Sequence, residues 1–408
     1  MNNKKEKYKY LYFSFFYYKQ MKHMFKNILT AKYRYDINYS DKFMWKEKNM
    51  KFVHIADMHF DTPFITLSNK QNLCKLRRIE QRETFRKIIE YIKENEIPYL
   101  FISGDLYEHK YIRESTIEYI NNLFKTIPDT KIFISPGNHD PYIKNSFYNN
   151  FKWNENVKIF GPQIEKVELN NLNIYGYGFG DFYEGRVDLQ NVKIEDKEKL
   201  NILIIHGTLD GSETVEKIYN PISKKELEQI GFDYVALGHI HKTNYEINKN
   251  ENIIYPGSTV SLGFDEQGEH GMIVGQLEKN NLKLQFIKMD PTVFIEEDLD
   301  MSFVNSEEEL IEKINKYKVD EESFYKINLI GIRKFEININ EINKFNNNNN
   351  ILKIKNKTKI DYDIESISKE TTLKGLFARE IIEKIKNSPD REEYYNDIFE
   401  IGLEILEK

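Results

Sequence analysis

The sequence predicts an α/β fold in which a parallel sheet is backed by a second, mostly β half. Three observations predict it. Residues 52–135 alternate strand, helix, strand, helix, strand, which demands parallel pairing with right-handed crossovers. After Asn150 the rhythm changes to short strands and Gly-rich turns, as in Ile174-Tyr-Gly-Tyr-Gly-Phe-Gly180, and this suggests a second sheet packed on the first. Five apolar runs also stop abruptly at aspartate, asparagine or histidine, at the sheet end where open α/β folds place ligands.

Residues 1–49 stand apart. They hold twelve Lys/Arg and four Asp/Glu, a balance of +8, and an aromatic run from Tyr10 to Tyr18. Because the 408-residue chain carries −6, residues 50–408 carry −14. No stretch reaches the roughly 18 apolar residues of a membrane span, and no A-x-A-like cleavage site follows the aromatic run. Met50 opens Met-Lys-Phe-Val-His-Ile-Ala-Asp, so residues 1–49 are expected to be an upstream extension, disordered or not native. A basic arm for a membrane surface or nucleic acid is the other reading. The single cysteine, Cys74, excludes an internal disulfide framework and fits a reducing compartment, hence a cytoplasmic protein.

The first strand, Phe52–Ala56, runs into Asp57-Met-His59. Leu76, Ile79, Phe85, Ile88, Ile89 and Ile92 recur at three and four and mark a helix to about Glu94. Its opposite face, with Arg77, Arg78, Arg82, Arg86 and Lys87, is expected to be solvated. Tyr99–Ser103 is the second strand and ends in Gly104-Asp105; a helix follows over about 115–125. Lys131–Ser135 is the third and ends at Asn138, His139 and Asp140. In the second half, Leu200–Ile205 ends at His206-Gly207, and Asp233–Leu237 at Gly238-His239-Ile-His241. The main α/β domain is thus expected over 50–290, a small α/β unit over 291–370 and a helical tail over 371–408. Within the small unit, the Asn346–Asn350 run is expected to be a low-complexity loop between strands.

A lone Asn-His-Asp turn after a strand is ordinarily only a turn. Here five of nine histidines fall at strand ends beside carboxylates, which argues for a shared site. Imidazole, carboxylate and amide oxygen without thiolate make a donor set for Mn, Fe, Zn or Mg. Asp57, His59, Asp105, Asn138, His206, His239 and His241 are too many for one ion, but suit two ions about 4 Å apart sharing one carboxylate. Asp105, alone on the middle strand, is the natural bridge. Such a pair suits a phosphate ester attacked in line. His139 is left to stabilise developing charge or protonate a leaving oxygen, and Asp140 to orient a neighbouring imidazole.

In order, Asp-x-His, Gly-Asp, Gly-Asn-His-Asp, His-Gly and Gly-His-x-His resemble the motif set of calcineurin-like metallophosphoesterases, across residues 50–280. Asp57-Met-His-Phe-Asp-Thr-Pro-Phe64, Gly104-Asp-Leu-Tyr-Glu108, Tyr255-Pro-Gly-Ser258, Gly263-Phe264 and Glu269-His-Gly271 are similar to the SbcD-type DNA repair exonucleases, most of all the YhaO-type subgroup. The resemblance implies a four-layer αββα sandwich with a capping domain, two Mn²⁺ ions, and 3′ to 5′ exonuclease with endonuclease activity. Carried over, it assigns Asp57, His59, Asp105 and His241 to one ion, Asp105, Asn138, His206 and His239 to the other, and catalysis to His139. It also implies DNA and a coiled-coil ATPase of the SbcC or YhaN kind as partners, and leaves a homodimer open. One departure stands out: where archaeal and eukaryotic relatives carry a second histidine, three residues after the bridging Asp, this chain has Glu108, followed by His109. His109 is expected to be dispensable.

The −14 balance lacks the broad basic footprint of a duplex-binding protein, so either metal ions and the local bases Arg77, Arg78, Arg82, Lys110, Arg113 and Lys242 are the expected DNA contacts or a partner supplies the affinity. Two other readings stay open: a phosphoesterase for nucleotides or other small esters, which an acidic surface suits, and a non-catalytic scaffold for an ATPase.

Overall fold

The computed structural model describes residues 50–64, 71–210, 219–320, 322–360 and 362–406. The expected extension, 1–49, lies outside the described residues. Two sheets carry the first part of the chain. One has six strands in the order Asn281–Lys288 (β11), Gly271–Glu278 (β10), Met50–Ile55 (β1), Tyr99–Ile102 (β2), Lys131–Ile134 (β3) and Val157–Ile159 (β4). β1 to β4 are parallel; β10 joins β1 antiparallel. The second sheet runs Ile253–Ile254 (β9), Tyr234–Gly238 (β8), Leu200–His206 (β7), Leu172–Tyr177 (β6) and Glu165–Leu169 (β5), parallel except at β5.

Side-chain alternation along these strands builds the layers. Phe52, Phe101 and Phe133 point from the first sheet to Ile202, Ile204, Tyr234 and Ala236 of the second, forming the central core. Val53, Ile55, Leu100, Ile102, Ile132 and Ile134 point the other way, onto the helices Gln71–Glu94 (α1) and Glu114–Phe124 (α2). Leu203, Ile205, Val235 and Leu237 face outward beneath Val187, Leu189 and Leu227. Strands buried on both faces need continuous apolar runs, which is why the sequence shows them. His54 is a buried polar side chain in the central core, and Tyr234 Oη (2.9 Å) and Ser103 Oγ (2.7 Å) satisfy both its nitrogens.

α1 departs from its expected faces. Ile79 is 57% exposed, whereas Arg77 is fully buried beneath Phe294. Phe85, Ile88, Ile89 and Ile92 do pack inward, so the error lies in the first turns, where a different neighbour covers the helix. That neighbour is the sheet of Val293–Asp300 (β12), Ser323–Ile330 (β13) and Ile351–Asn356 (β14), all parallel. Phe64, Phe264 and Phe294 form the joint, with Cys74 half-buried at its edge. Asn347–Asn350 connects the helix Ile339–Phe345 to β14 without forming an element. The tail helices, Leu373–Asn387 and Glu392–Leu406, pack on one another through Ala378, Ile381, Phe399 and Leu403. No helix among the described residues is long and apolar enough to cross a membrane.

Candidate metal centre

The polar strand ends meet where the two sheets converge. Gly104 and Gly238 mark the closest approach: a Cβ on Gly104 would collide with the His206 imidazole, and one on Gly238 with the Ser103 carbonyl. Asp57, His59 and Asp105 hold left-handed backbones, with φ of 50°, 48° and 52°, and His239 reaches 102°. Such conformations cost non-glycine residues about 1–3 kcal/mol each and persist where surrounding bonds enforce them. Here the enforcing bonds include Asp57 N–H to Gly104 O (3.1 Å), His59 N–H to Asp105 O (2.9 Å) and His239 N–H to the Asp57 carboxylate (3.1 Å).

The imidazoles are oriented one by one. His59 donates from Nδ1 to Glu108 Oε1 (2.9 Å), His241 from Nδ1 to Glu266 Oε1 (2.6 Å), and His206 from Nδ1 to Ser103 O (2.8 Å). Each Nε2 then presents a lone pair inward, the arrangement that second neighbours impose on metal-binding histidines. His59 Nε2 and His241 Nε2 face one another at 3.1 Å, with Asp57 Oδ1 3.8 Å from His241 Nε2. His206 Nε2 faces Asn138 Oδ1 at 3.1 Å and Asp105 Oδ2 at 3.4 Å, and His239 Nδ1 faces the same Asn138 oxygen at 3.2 Å. Acceptors converging on acceptors require a cation between them. The residues therefore fit divalent ions.

Three overlapping groups bring ligand atoms within 4.8 Å: Asp57, His59 and His241; Asp105, His206 and His239; and His59, Asp105 and His139. Asp105 belongs to two of them, and Asn138 sits against the second. All seven expected ligands are thus brought together. The charges agree. Burial pulls the His206 imidazole down, but the Asp105 carboxylate outweighs it and pushes the group up to about 9. His241 is likewise buried, yet Glu266 and Asp57 push it up to about 9. Burial drives His239 down to about 3. Without a metal, protons hold the positive charge the carboxylates demand.

His139 differs from its neighbours in exposure. Its side chain is 44% exposed, and it donates from Nδ1 to Glu108 Oε2 at 3.0 Å. One carboxylate therefore grips both His59 and His139. Burial opposes protonation of His139, but the bond to Glu108 overrides it and lifts the group to about 9. Glu108 is itself held down to about 2, against its own burial, by those two imidazoles.

Two expectations need correcting. Asp140, expected to orient an imidazole, instead accepts from the backbone N–H groups of Asp105 (3.1 Å), Leu106 (2.7 Å) and Gly137 (2.7 Å) and from Tyr148 Oη (2.7 Å). It ties two ligand-bearing loops together, because fully buried it can only face donors within reach. Arg77, expected to contact DNA, is fully buried and bonds Asp290, Glu80 and Ser261 O. Of the other expected contacts, Arg78 is half-buried and Arg82 pairs with Asp61 at 2.8 Å, while Lys110, Arg113 and Lys242 are exposed. Sequence reasoning missed Glu266, which also accepts from Ser258 Oγ (2.9 Å) and Leu262 N–H (3.0 Å). No local pattern marks it, since its partner lies 25 residues away.

A two-sheet α/β sandwich with acceptor clusters sharing one carboxylate has the form of a metal-dependent phosphoester hydrolase. Residues 50–243 match the calcineurin-like phosphoesterase family. It is 26% identical over 251 residues to the uncharacterized metallophosphoesterase YhaO of Bacillus subtilis, covering 58% of this chain and 60% of that protein. It is 29% identical over 279 residues to the SbcD component of the SbcCD nuclease of Staphylococcus epidermidis, covering 59% of this chain and 70% of that protein. The chain thus spans under two thirds of the YhaO relative's length. Solved structures match more loosely: TT1561 of Thermus thermophilus at a TM-score of 0.32 and 10% identity, over 58% of this chain and 99% of that one.

Proposed function

We propose that the chain is a metal-dependent DNA exonuclease working 3′ to 5′, with endonuclease activity at the same centre, that acts in DNA repair beside an SbcC-type ATPase. The observation that carries the chemistry is the Glu108-tethered, half-open His139 beside two buried acceptor clusters. Asp57, His59, Asp105 and His241 would hold one ion, and Asp105, Asn138, His206 and His239 the other, with Mn²⁺ the expected metal. Bound there, such ions supply Lewis acidity, a water nucleophile and neutralisation of phosphoryl charge.

The residues of the chain do the rest. Glu108 fixes the His139 ring by its Nδ1 and favours its protonated form. Nε2–H is then a donor for a phosphoryl or leaving oxygen. Buried Asp140 locks the Asp105 and Asn138 loops so that their side chains need no reorganisation.

The nuclease named among the relatives supports DNA as substrate, as do exposed Lys110, Arg113 and Lys242. Leu373, Leu376, Ile401 and Ile405 on the tail helices are exposed, which supports a docked partner. The −14 balance favours a second reading, a phosphoesterase for small esters. The test is metal-free full chain resupplied with Mn²⁺, Mg²⁺ or Zn²⁺ and given end-labelled duplex DNA or a small phosphodiester. Shortening from 3′ ends that vanishes in His139→Ala is expected. Turnover of the small ester with DNA intact, with and without the ATPase, would replace this reading by the second.

A further inference from the structure

After β6 the chain runs beside the centre. Phe179 N–H donates to Pro136 O (3.0 Å) and Phe179 O accepts from Tyr142 N–H, so this loop is laced to the one bearing Asn138 and His139. The Phe179 ring stands edge-on to His206 at 5.6 Å. The loop then closes on itself: Gly180 N–H bonds Glu184 Oε1 (2.8 Å), Phe182 N–H bonds Asp181 Oδ1 (2.7 Å), and Asn220 N–H bonds Glu184 O (2.9 Å). From this anchored turn two adjacent aromatic side chains emerge, Phe182 at 39% and Tyr183 at 55% exposure.

Each leads to one side of the centre. Phe182 meets the His109 ring at 5.6 Å, and His109 N–H bonds the carbonyl of His139 (2.9 Å). Tyr183 lies 5.8 Å from Tyr219, whose ring lies 4.9 Å from His239. Beside His109, exposed Lys110 lies 5.4 Å above the ring of Tyr111, itself 44% exposed. Aromatic rings held by backbone bonds at the rim of the metal centre, with a cation alongside, match what stacks nucleobases along a single strand.

We propose that Phe182 and Tyr183 form a stacking platform for unpaired bases of a nucleic-acid strand whose phosphate lies at the metal centre; this rests on the nuclease reading. The platform offers ring faces rather than donors aimed at base edges, so it is tolerant of sequence and requires the strand to be open. His109 props Phe182 and Tyr219 backs Tyr183; both are positioning residues. A duplex end must fray before its bases reach the rings.

The test is a cycle between ring and base. The full chain in the His139→Ala background, loaded with Mn²⁺, is titrated by fluorescence anisotropy with a single-stranded oligonucleotide and with the same strand made abasic at successive positions from its 3′ end. Intact bases are expected to bind about tenfold tighter than abasic residues at one or two positions, within the range of base–aromatic stacking. Phe182→Ala and Tyr183→Ala, at wild-type metal content, lose that preference, and Tyr183→Phe keeps it. Equal affinity for intact and abasic strands, or variants that weaken both alike, would overturn the platform, as would capture of a protein partner by these rings with no base preference. Base preference without any DNA cleavage by the wild type would sink the nuclease reading alone; cleavage without base preference would sink the platform alone.

Discussion

Replacing Arg77 by methionine separates the buried position of this side chain from the surface role its sequence suggests. Its guanidinium donates to Asp290 Oδ1 (3.0 Å) and Oδ2 (2.6 Å) and to Ser261 O (2.9 Å). Asp290 also accepts from Ser261 N–H (2.8 Å) and Thr292 N–H (3.1 Å), and both side chains of the pair are fully buried. Without the cation, Asp290 becomes an isolated buried charge. Breaking a buried pair in this way costs about 3–5 kcal/mol, against about 0–1 kcal/mol for an exposed pair. Denaturant unfolding of the full chain should therefore show Arg77→Met destabilised by about 3–5 kcal/mol. Adding Asp290→Asn should restore much of the loss, since a neutral amide needs no counter-ion and the two sites couple directly. The salt dependence of DNA affinity should not change, whereas loss of a phosphate contact lowers its slope by about one. A variant within about 0.5 kcal/mol of wild type that binds DNA less tightly with a shallower salt slope would refute the reasoning.

Three further expectations can be measured. His139→Ala should lower kcat by about 10² to 10⁴ with metal content unchanged, while His109→Ala keeps most of the rate; equal losses would contradict the separate roles. Glu266→Gln should weaken metal binding, measured calorimetrically, by about 10- to 100-fold, because the His241 ring loses the carboxylate that orients it; wild-type affinity would remove Glu266 from the site. In the metal-free chain His206 and His241 stand above the ordinary imidazole value, so the stability they contribute is fully present below 6.5 and lost as pH rises through about 9. The unfolding midpoint of chelated protein should accordingly fall over that window, with proton release on adding Mn²⁺ below pH 9; a rising midpoint would contradict the assignment.

The strand ends were legible because their signal is local. An apolar run buried on both faces cannot carry Asp57, Asp105 or His206 except where it leaves the sheet, so the break in the run locates the site. The partners that orient these groups were not legible. Glu108 stood out by its place three residues after Asp105, but its role did not, since its bonds reach His59 across 49 residues and His139 across 31. Asp140 stands next to His139 in sequence, but its carboxylate turns to backbone donors instead, a choice made by the loops folded around it.

By itself, then, the sequence determined the order of strands and helices, the sheet end that gathers the polar groups and the chemistry of the donor set, because periodicity and residue type act over a few neighbouring positions. Only the tertiary structure decided that Arg77 is buried and Ile79 exposed, that Glu108 links two histidines, and that Phe182 lies against His109 and Tyr183 against Tyr219. Those outcomes depend on which distant surface covers a side chain, and the free energy of a charge or a ring is fixed by that surface rather than by its own place in the chain.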